Sequence, residues 1–152
     1  MPSLAPVSSI HVPELTDFLS EVDLTVSGLD SPAVHLWIER DANGAIIAST
    51  GFELSDDQQH ALIRSVAVTP SARSEGAGSR LARFALDRAY DSGARTAWLF
   101  SRRSGPFWQK LGFEPADRYE LARVLATAHQ VRQFSESGQL DQEVAWSRDL
   151  SR

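Results

Sequence analysis

Apolar and polar residues along this chain follow two different periods, and the switch between them comes at Pro70. Before it, Val34–Glu39 (VHLWIE) alternates as a strand does, and Ala45–Leu54 and His60–Val68 (HALIRSVAV) read as two more strands. Asp41-Ala-Asn-Gly44 lies between the first two, and Asn-Gly supplies the positive φ that a hairpin turn requires. Ser55–Gln59 (SDDQQ) is a second polar turn. Three consecutive strands with short connections predict an antiparallel meander. Upstream, Pro13–Ser20 reads as a short helix. Pro13 suits a first helical turn, and Leu15, Phe18 and Leu19 fall on one face. Ser27–Pro32 is a loop.

After Pro70 the spacing becomes helical. Leu81, Phe84, Ala85 and Leu86 share a face, and Gly93 ends that helix. Thr96–Phe100 (TAWLF) is a short apolar strand. Gly105–Leu111 (GPFWQKL) is a short helix closed by Gly112. Leu121, Val124, Leu125, Ala128 and Val131 predict one further helix over Leu121–Phe134, and Val144–Leu150 (VAWSRDL) would be a closing strand. No linker, repeat or low-complexity segment interrupts the pattern. The expectation is a single α+β domain over residues 1–152, built on a mixed sheet.

Composition removes whole classes of function. The 152 residues are 42% hydrophobic and 23% charged, as in ordinary globular proteins, and that length supports a real core. A net charge of −5 with scattered basic residues argues against a nucleic-acid partner. The absence of cysteine excludes disulfides, thiolate metal sites and a cysteine nucleophile. His35, His60 and His129 are too widely spaced to suggest a metal site, and His11 is near the N-terminus, so no metal is expected. No stretch approaches the roughly 18 apolar residues of a membrane span. The first residues, MPSLAPVSSI, lack the charged-then-apolar order of a signal peptide. A cytoplasmic protein without a membrane partner is expected. Trp37, Trp98 and Trp146 fall within strands and read as core.

The chemistry concentrates in Arg64–Leu81, RSVAVTPSARSEGAGSRL. A strand that runs through a glycine-rich turn into a helix presents backbone N–H groups at the helix N-terminus. Those donors and the helix dipole suit a phosphate. Gly76 and Gly78 let the backbone approach it, and Arg73 can add a charge-assisted contact. No Gly-Lys-Ser/Thr follows, so this is not a Walker loop, and it is not the GxGxxG dinucleotide fingerprint.

The pattern V-x-P-x-x-R-x-x-G-x-G-x-x-L, met by Val68, Pro70, Arg73, Gly76, Gly78 and Leu81, resembles a signature of the GNAT superfamily of acetyl-CoA-dependent N-acetyltransferases. Phe107-Trp-Gln-Lys-Leu-Gly-Phe113 is similar to that family's second signature, an aromatic helix ending in Leu-Gly-Phe. The resemblance covers roughly residues 10 to 150. It implies a GNAT fold: a mostly antiparallel mixed sheet flanked by helices, with a splayed strand pair that receives acetyl-CoA, the acetyl donor. Carried over residue by residue, it places the pyrophosphate on the backbones of Ser74, Gly76, Ala77, Gly78 and Ser79, beside Arg73. The pantetheine arm would pair with backbone around Val66 and Val68, where one N–H can polarise the thioester carbonyl. The neutral amine of the substrate then attacks directly.

Two proton transfers remain, each worth roughly 10² to 10⁴ in rate when a side chain performs it. Glu53, near the end of its strand, is the candidate base for the amine; a water chain or a merely solvated glutamate are the alternatives. Many relatives carry a tyrosine where this chain has Trp108, and its hydroxyl protonates the departing thiolate. Indole N–H is a donor but not a usable acid. Ser104 is the candidate replacement, with Ser101 or water as alternatives. Glu75 occupies a position that is often basic in relatives, and a carboxylate there is expected to point to water.

The stretch IRSVAV resembles N-acetylglutamate synthase-type enzymes, which implies that Arg64 holds a substrate carboxylate; a structural ion pair is the alternative. The run LATAHQVRQF and the final strand resemble acetyltransferases of arsenic-resistance operons. Their usual cysteine-proline is here replaced within Ser135-Glu-Ser-Gly-Gln139. Arg148 is a second candidate anchor, and Arg102 and Arg103, which follow the Thr96–Phe100 strand, read as a solvated loop, with facing the cleft as the alternative. Together these resemblances imply transfer of an acetyl group to the primary amine of a small amino-acid-like substrate. A peptide or protein acetyltransferase and a weakly catalytic coenzyme A-binding module are the alternatives. Exposed sheet edges leave a homodimer open.

Overall fold

Asp41 sets the first hairpin. Its carboxylate accepts the backbone N–H groups of Asn43 at 2.9 Å and Ala45 at 3.0 Å, which reverses the chain between two strands. The computed structural model describes residues 4–22, 24, 26–73 and 76–150. Its strands are β1 (Ala5–Pro6), β2 (Val34–Arg40), β3 (Ile46–Leu54), β4 (His60–Val68), β5 (Thr96–Phe100), β6 (Glu114–Ala116) and β7 (Ala145–Asp149). Its helices are α1 (Val12–Glu21), α2 (Ala77–Asp91), α3 (Gly105–Lys110), α4 (Arg118–Val124) and α5 (His129–Ser137). The strands form one sheet in the order β1-β2-β3-β4-β5-β7-β6. The expected meander is β2-β3-β4, antiparallel throughout. Strand β5 joins β4 in parallel, and the other described pairings are antiparallel.

Alternation along β4 divides the core. Ile63 faces α2, whose Ala82, Ala85, Leu86 and Ala89 pack with Phe52 and Leu99. Leu62 points to the other face, against Trp98 and the residues Leu121, Leu125, Ala128 and Val131 of the α4–α5 region. Helix α1 covers β2 and β3, with Leu15, Phe18 and Leu19 against Leu36, Ile38 and Ile46. Among the described residues no helix is long and apolar enough to cross a membrane.

Three features differ from the sequence expectation. The single helix expected over Leu121–Phe134 is two helices, α4 and α5. Its apolar period holds on both sides of the break, but Ala128 is extended (φ −65, ψ 137), so that His129 N–H turns inward to Glu53 Oε2 at 2.8 Å. A buried carboxylate takes the hydrogen bond that helix continuation would have used. The short strands β1 and β6 were not foreseen. Each contains a proline, which weakens any strand pattern, and they are the outer members of the sheet, where proline is tolerated.

Strand β4 carries a bulge. Ser49 pairs with Ala67 and Gly51 with Arg64, so β4 spends one more residue than β3 over that interval. Ser65 absorbs it at φ 61, and its carbonyl accepts the Ser49 hydroxyl at 2.5 Å. Beyond Leu62 and Trp98, β4 and β5 no longer pair.

Candidate active site

The parting of β4 and β5 opens a cleft of about 1200 Å³. The second half of β4 forms one wall, from Ile63 to Val68. Leu99, Phe100 and the loop that follows form another, and the start of α2 and helix α3 close the mouth. Val66 and Val68, expected to meet a pantetheine arm, both border it.

Gly76 caps α2 in the left-handed region, φ 84, with open space where a Cβ would stand. Its carbonyl accepts Arg80 N at 2.9 Å, closing the first turn. The N–H groups of Ala77, Gly78 and Ser79 precede that bond and have no acceptor within the helix. All three residues line the cleft. A Cβ on Gly78 would lie 3.3 Å from the Phe107 ring, so glycine lets α3 close over the first turn of α2. Arg73 turns its Nε to Val68 O at 3.1 Å and borders the same space. The sequence expectations for Ser74 and Glu75 lie outside the described residues.

The cleft is cationic. Arg102 and Arg103, read from sequence as a solvated loop, are exposed and also line it, as does Lys110. Arg148 does not line it; its guanidinium stem packs over Gly112.

Arg64 borders the cleft with its side chain withdrawn from water, facing Glu53 Oε1 at 3.4 Å. Arg64 is thus paired with Glu53 where β4 borders the cleft. Burial pulls the Arg64 pKa below the ordinary arginine value, and Glu53 opposes that shift. Glu53, the candidate base, has partners within the protein. It is buried, lies off the cleft lining, and gives Oε2 to both N–H and Nδ1 of His129, at 2.8 and 2.7 Å. It holds Arg64 and the start of α5. Nothing in the sequence pattern joined Glu53 to His129, because they meet only through the break between α4 and α5.

Ser104 lines the cleft, exposed, immediately before α3, with its N–H on Ser101 Oγ at 3.0 Å. Trp108 is buried between Phe107 and Phe113, with ring centroids at 4.9 and 5.4 Å, and its edge reaches the cleft. Gln130, Phe134, Gln139 and Glu143 also line it and were missed from sequence. Of these, Glu143 is a lone carboxylate in front of a strand, a pattern that carries no signal.

The family described as the Acetyltransferase (GNAT) family matches residues 5–113. No curated protein matches the chain. Among solved structures, N-acetylglutamate synthase from Neisseria gonorrhoeae, complexed with coenzyme A and L-arginine, aligns with a TM-score of 0.73 at 18% identity. The alignment covers 99% of this chain but 34% of that one, so this chain spans about a third of the synthase. Rv2747 from Mycobacterium tuberculosis, in complex with CoA and NLQ, aligns with a TM-score of 0.71 at 15% identity, over 99% of this chain and 100% of that one. A GNAT-family acetyltransferase from Staphylococcus aureus Mu50 gives 0.71 at 12%, again over 99% and 100%. At these identities the structural likeness is one of fold, and the family match adds the sequence of the cleft itself, from β4 through the turn at Gly76 to the end of α3. The chain belongs to the GNAT acetyltransferase family.

Proposed function

We propose that this chain moves the acetyl group of acetyl-CoA to the primary amine of a small amino-acid-like substrate, by direct attack of the amine on the thioester. The observation that carries the reading is the early end of β4–β5 pairing, at Leu62 and Trp98, with the bare first turn of α2 at the mouth of the resulting cleft.

The residues present fit the donor. A pyrophosphate needs N–H donors, positive charge and room. The first turn of α2, Arg73 and the open cleft beside them supply the three. Bound acetyl-CoA supplies an acyl group already activated as a thioester. Backbone around Val66 and Val68 holds the extended arm, and an N–H of that strand steadies the carbonyl oxygen as the amine attacks. Phe107 and Trp108 shield the site from water. Arg64, held by Glu53, orients the carboxylate of the acceptor. The synthase from Neisseria gonorrhoeae, in one structure complexed with coenzyme A and N-acetyl-glutamate, gives that acceptor class its support.

Trp108 in place of a hydroxyl acid favours a second reading, a domain that binds coenzyme A and turns over slowly. Thiol release separates the two. The chain has no cysteine, so a thiol reagent reads coenzyme A alone. Acetyl-CoA with each of the twenty amino acids should release thiol well above hydrolysis for at least one acceptor. Acetyl-CoA binding without transfer to any would replace the first reading by the second; transfer to peptides alone would replace it by a peptide acetyltransferase.

A further inference from the structure

Glu53 is not among the residues that line the cleft, so the proton of the attacking amine needs another acceptor. We propose that Glu143 is that proton acceptor, an inference that rests on the acetyltransferase reading above.

Elimination within the cleft leads to it. Among the described lining residues Glu143 is the one carboxylate, and there is no histidine or tyrosine beside it. The other charged residues there are arginines and one lysine. Glu143 is largely buried, 5% exposed, yet borders the cavity. It sits between the single 3-10 turn Gln139–Gln142 and β7.

Its placement is built. The backbone N–H donates to Leu140 O at 3.1 Å, and the carbonyl accepts Arg118 Nη1 at 3.3 Å. Oε2 accepts Gln139 Nε2 at 2.7 Å and faces Arg102 Nε at 3.6 Å. Oε1 takes no hydrogen bond from a described residue, which leaves one oxygen for a ligand. The next carbonyl, of Val144, accepts Ser101 N at 2.9 Å. That bond ties Glu143 to the segment leaving β5, the wall whose separation from β4 makes the cleft. Arg102 and Arg118 are the charged groups against Glu143 on its own side, and Arg64 borders the cleft from β4.

The step balances. Glu143 Oε1 receives one proton from the acceptor ammonium. The freed nitrogen lone pair forms the N–C bond to the carbonyl carbon, and the C–S bond breaks with its electrons going to sulfur. The second nitrogen proton passes to the thiolate, and Glu143 returns its proton to water. One proton is released for each acetyl group moved.

The test is a pH profile of transfer from acetyl-CoA to the fastest of the twenty amino acids, for wild type, Glu143→Gln and Glu143→Asp. Glu143→Gln keeps the shape and a hydrogen-bonding oxygen. Its kcat/KM at pH 7 should fall by about 10² or more. It should then rise about tenfold per pH unit as solvent takes over deprotonation of the acceptor, approaching wild type near the pKa of the amine. The melting shift with acetyl-CoA should be unchanged, and Glu143→Asp should recover part of the rate. A Glu143→Gln variant within threefold of wild type at pH 7, with a constant ratio across pH, overturns the proposal while the acetyltransferase reading stands. Wild type that transfers to none of the acceptors between pH 7 and 10 removes both. Where Glu143→Gln does not fold, Glu143→Asp carries the test: kcat at least tenfold lower at unchanged KM for acetyl-CoA supports it, and wild-type kcat overturns it.

Discussion

Arg64 and Glu53 face each other at 3.4 Å with side chains 0% and 1% exposed. Neither charge has water to fall back on, so Arg64 depends on Glu53, and Glu53 on Arg64 and His129. Removing one partner of such a pair leaves a buried charge and costs about 3–5 kcal/mol. Glu53→Gln should therefore lower unfolding free energy by that order in urea titration. Replacing both, Arg64→Met with Glu53→Leu, should recover most of the loss while weakening acceptor binding. A Glu53→Gln protein as stable as wild type would show that the pair contributes nothing to the fold.

The turn before α2 gives two separable effects. Gly76 needs its left-handed backbone but not the space, so Gly76→Ala should cost about 1–2 kcal/mol of stability and keep acetyl-CoA binding. Gly78 has an ordinary helical backbone, but a side chain there meets Phe107 at the mouth of the cleft. Gly78→Val should therefore lose ligand binding more than stability. Thermal unfolding checks both. Acetyl-CoA at 100 times its dissociation constant stabilises by about 2.7 kcal/mol, and that shift should survive in Gly76→Ala and vanish in Gly78→Val.

Much of this was legible in the sequence because it rests on local signals. The meander follows from alternation in β2 and from turn residues such as Asp41, and the bare start of α2 from the glycine-rich turn before it, while the cleft was implied only by the resemblance carried by the two signatures. The sites of Glu53 and Glu143 were not legible, for one shared reason. Each glutamate has a partner distant in sequence, His129 76 positions from Glu53 and Arg102 41 positions from Glu143, although Gln139 also holds Glu143 from four residues away. Strand alternation located the face of Glu53 but not the helix break that covers it. Glu143 lies outside any periodic segment, so nothing local marks its direction.

Acid should destabilise the protein in two windows. His35 stacks on Phe52 at 5.1 Å, and burial holds its pKa below the ordinary 6.5. Above pH 6.5 it is neutral in both states. As pH falls through 6.5 the unfolded chain binds the proton first, so stability declines until the folded histidine titrates too. The slope should disappear in His35→Phe.

Asp57 acts lower. The Ser55 hydroxyl at 2.6 Å, then the Gln59 amide, hold its carboxyl below the ordinary 3.8. Its contribution is present above pH 3.8 and is lost as pH falls through the folded value. Ser55→Ala should reduce the loss between pH 4 and 2 in urea unfolding.

Trp108 tests the protonation of the leaving thiolate. Trp108→Tyr places a hydroxyl on α3, at a stability cost of about 1–3 kcal/mol for the imperfect fit between Phe107 and Phe113. If the native chain lacks a side-chain acid, kcat in thiol release should rise by roughly 10². If Ser104 already serves, Trp108→Tyr should change little and Ser104→Ala should lower kcat by a similar factor.

The three residue pairs that join β4 to β5 leave the rest of both strands without their neighbour at the centre of the sheet. Backbone groups there must be satisfied by solvent or by whatever lies between. A guest with amide groups of its own, spaced along an extended arm, completes the missing rungs as a borrowed strand would. Stability and occupancy are then one equilibrium. Amide hydrogens of Ile63–Val68 that exchange quickly in the empty protein should slow on binding, and the sheet is whole only while its guest is present.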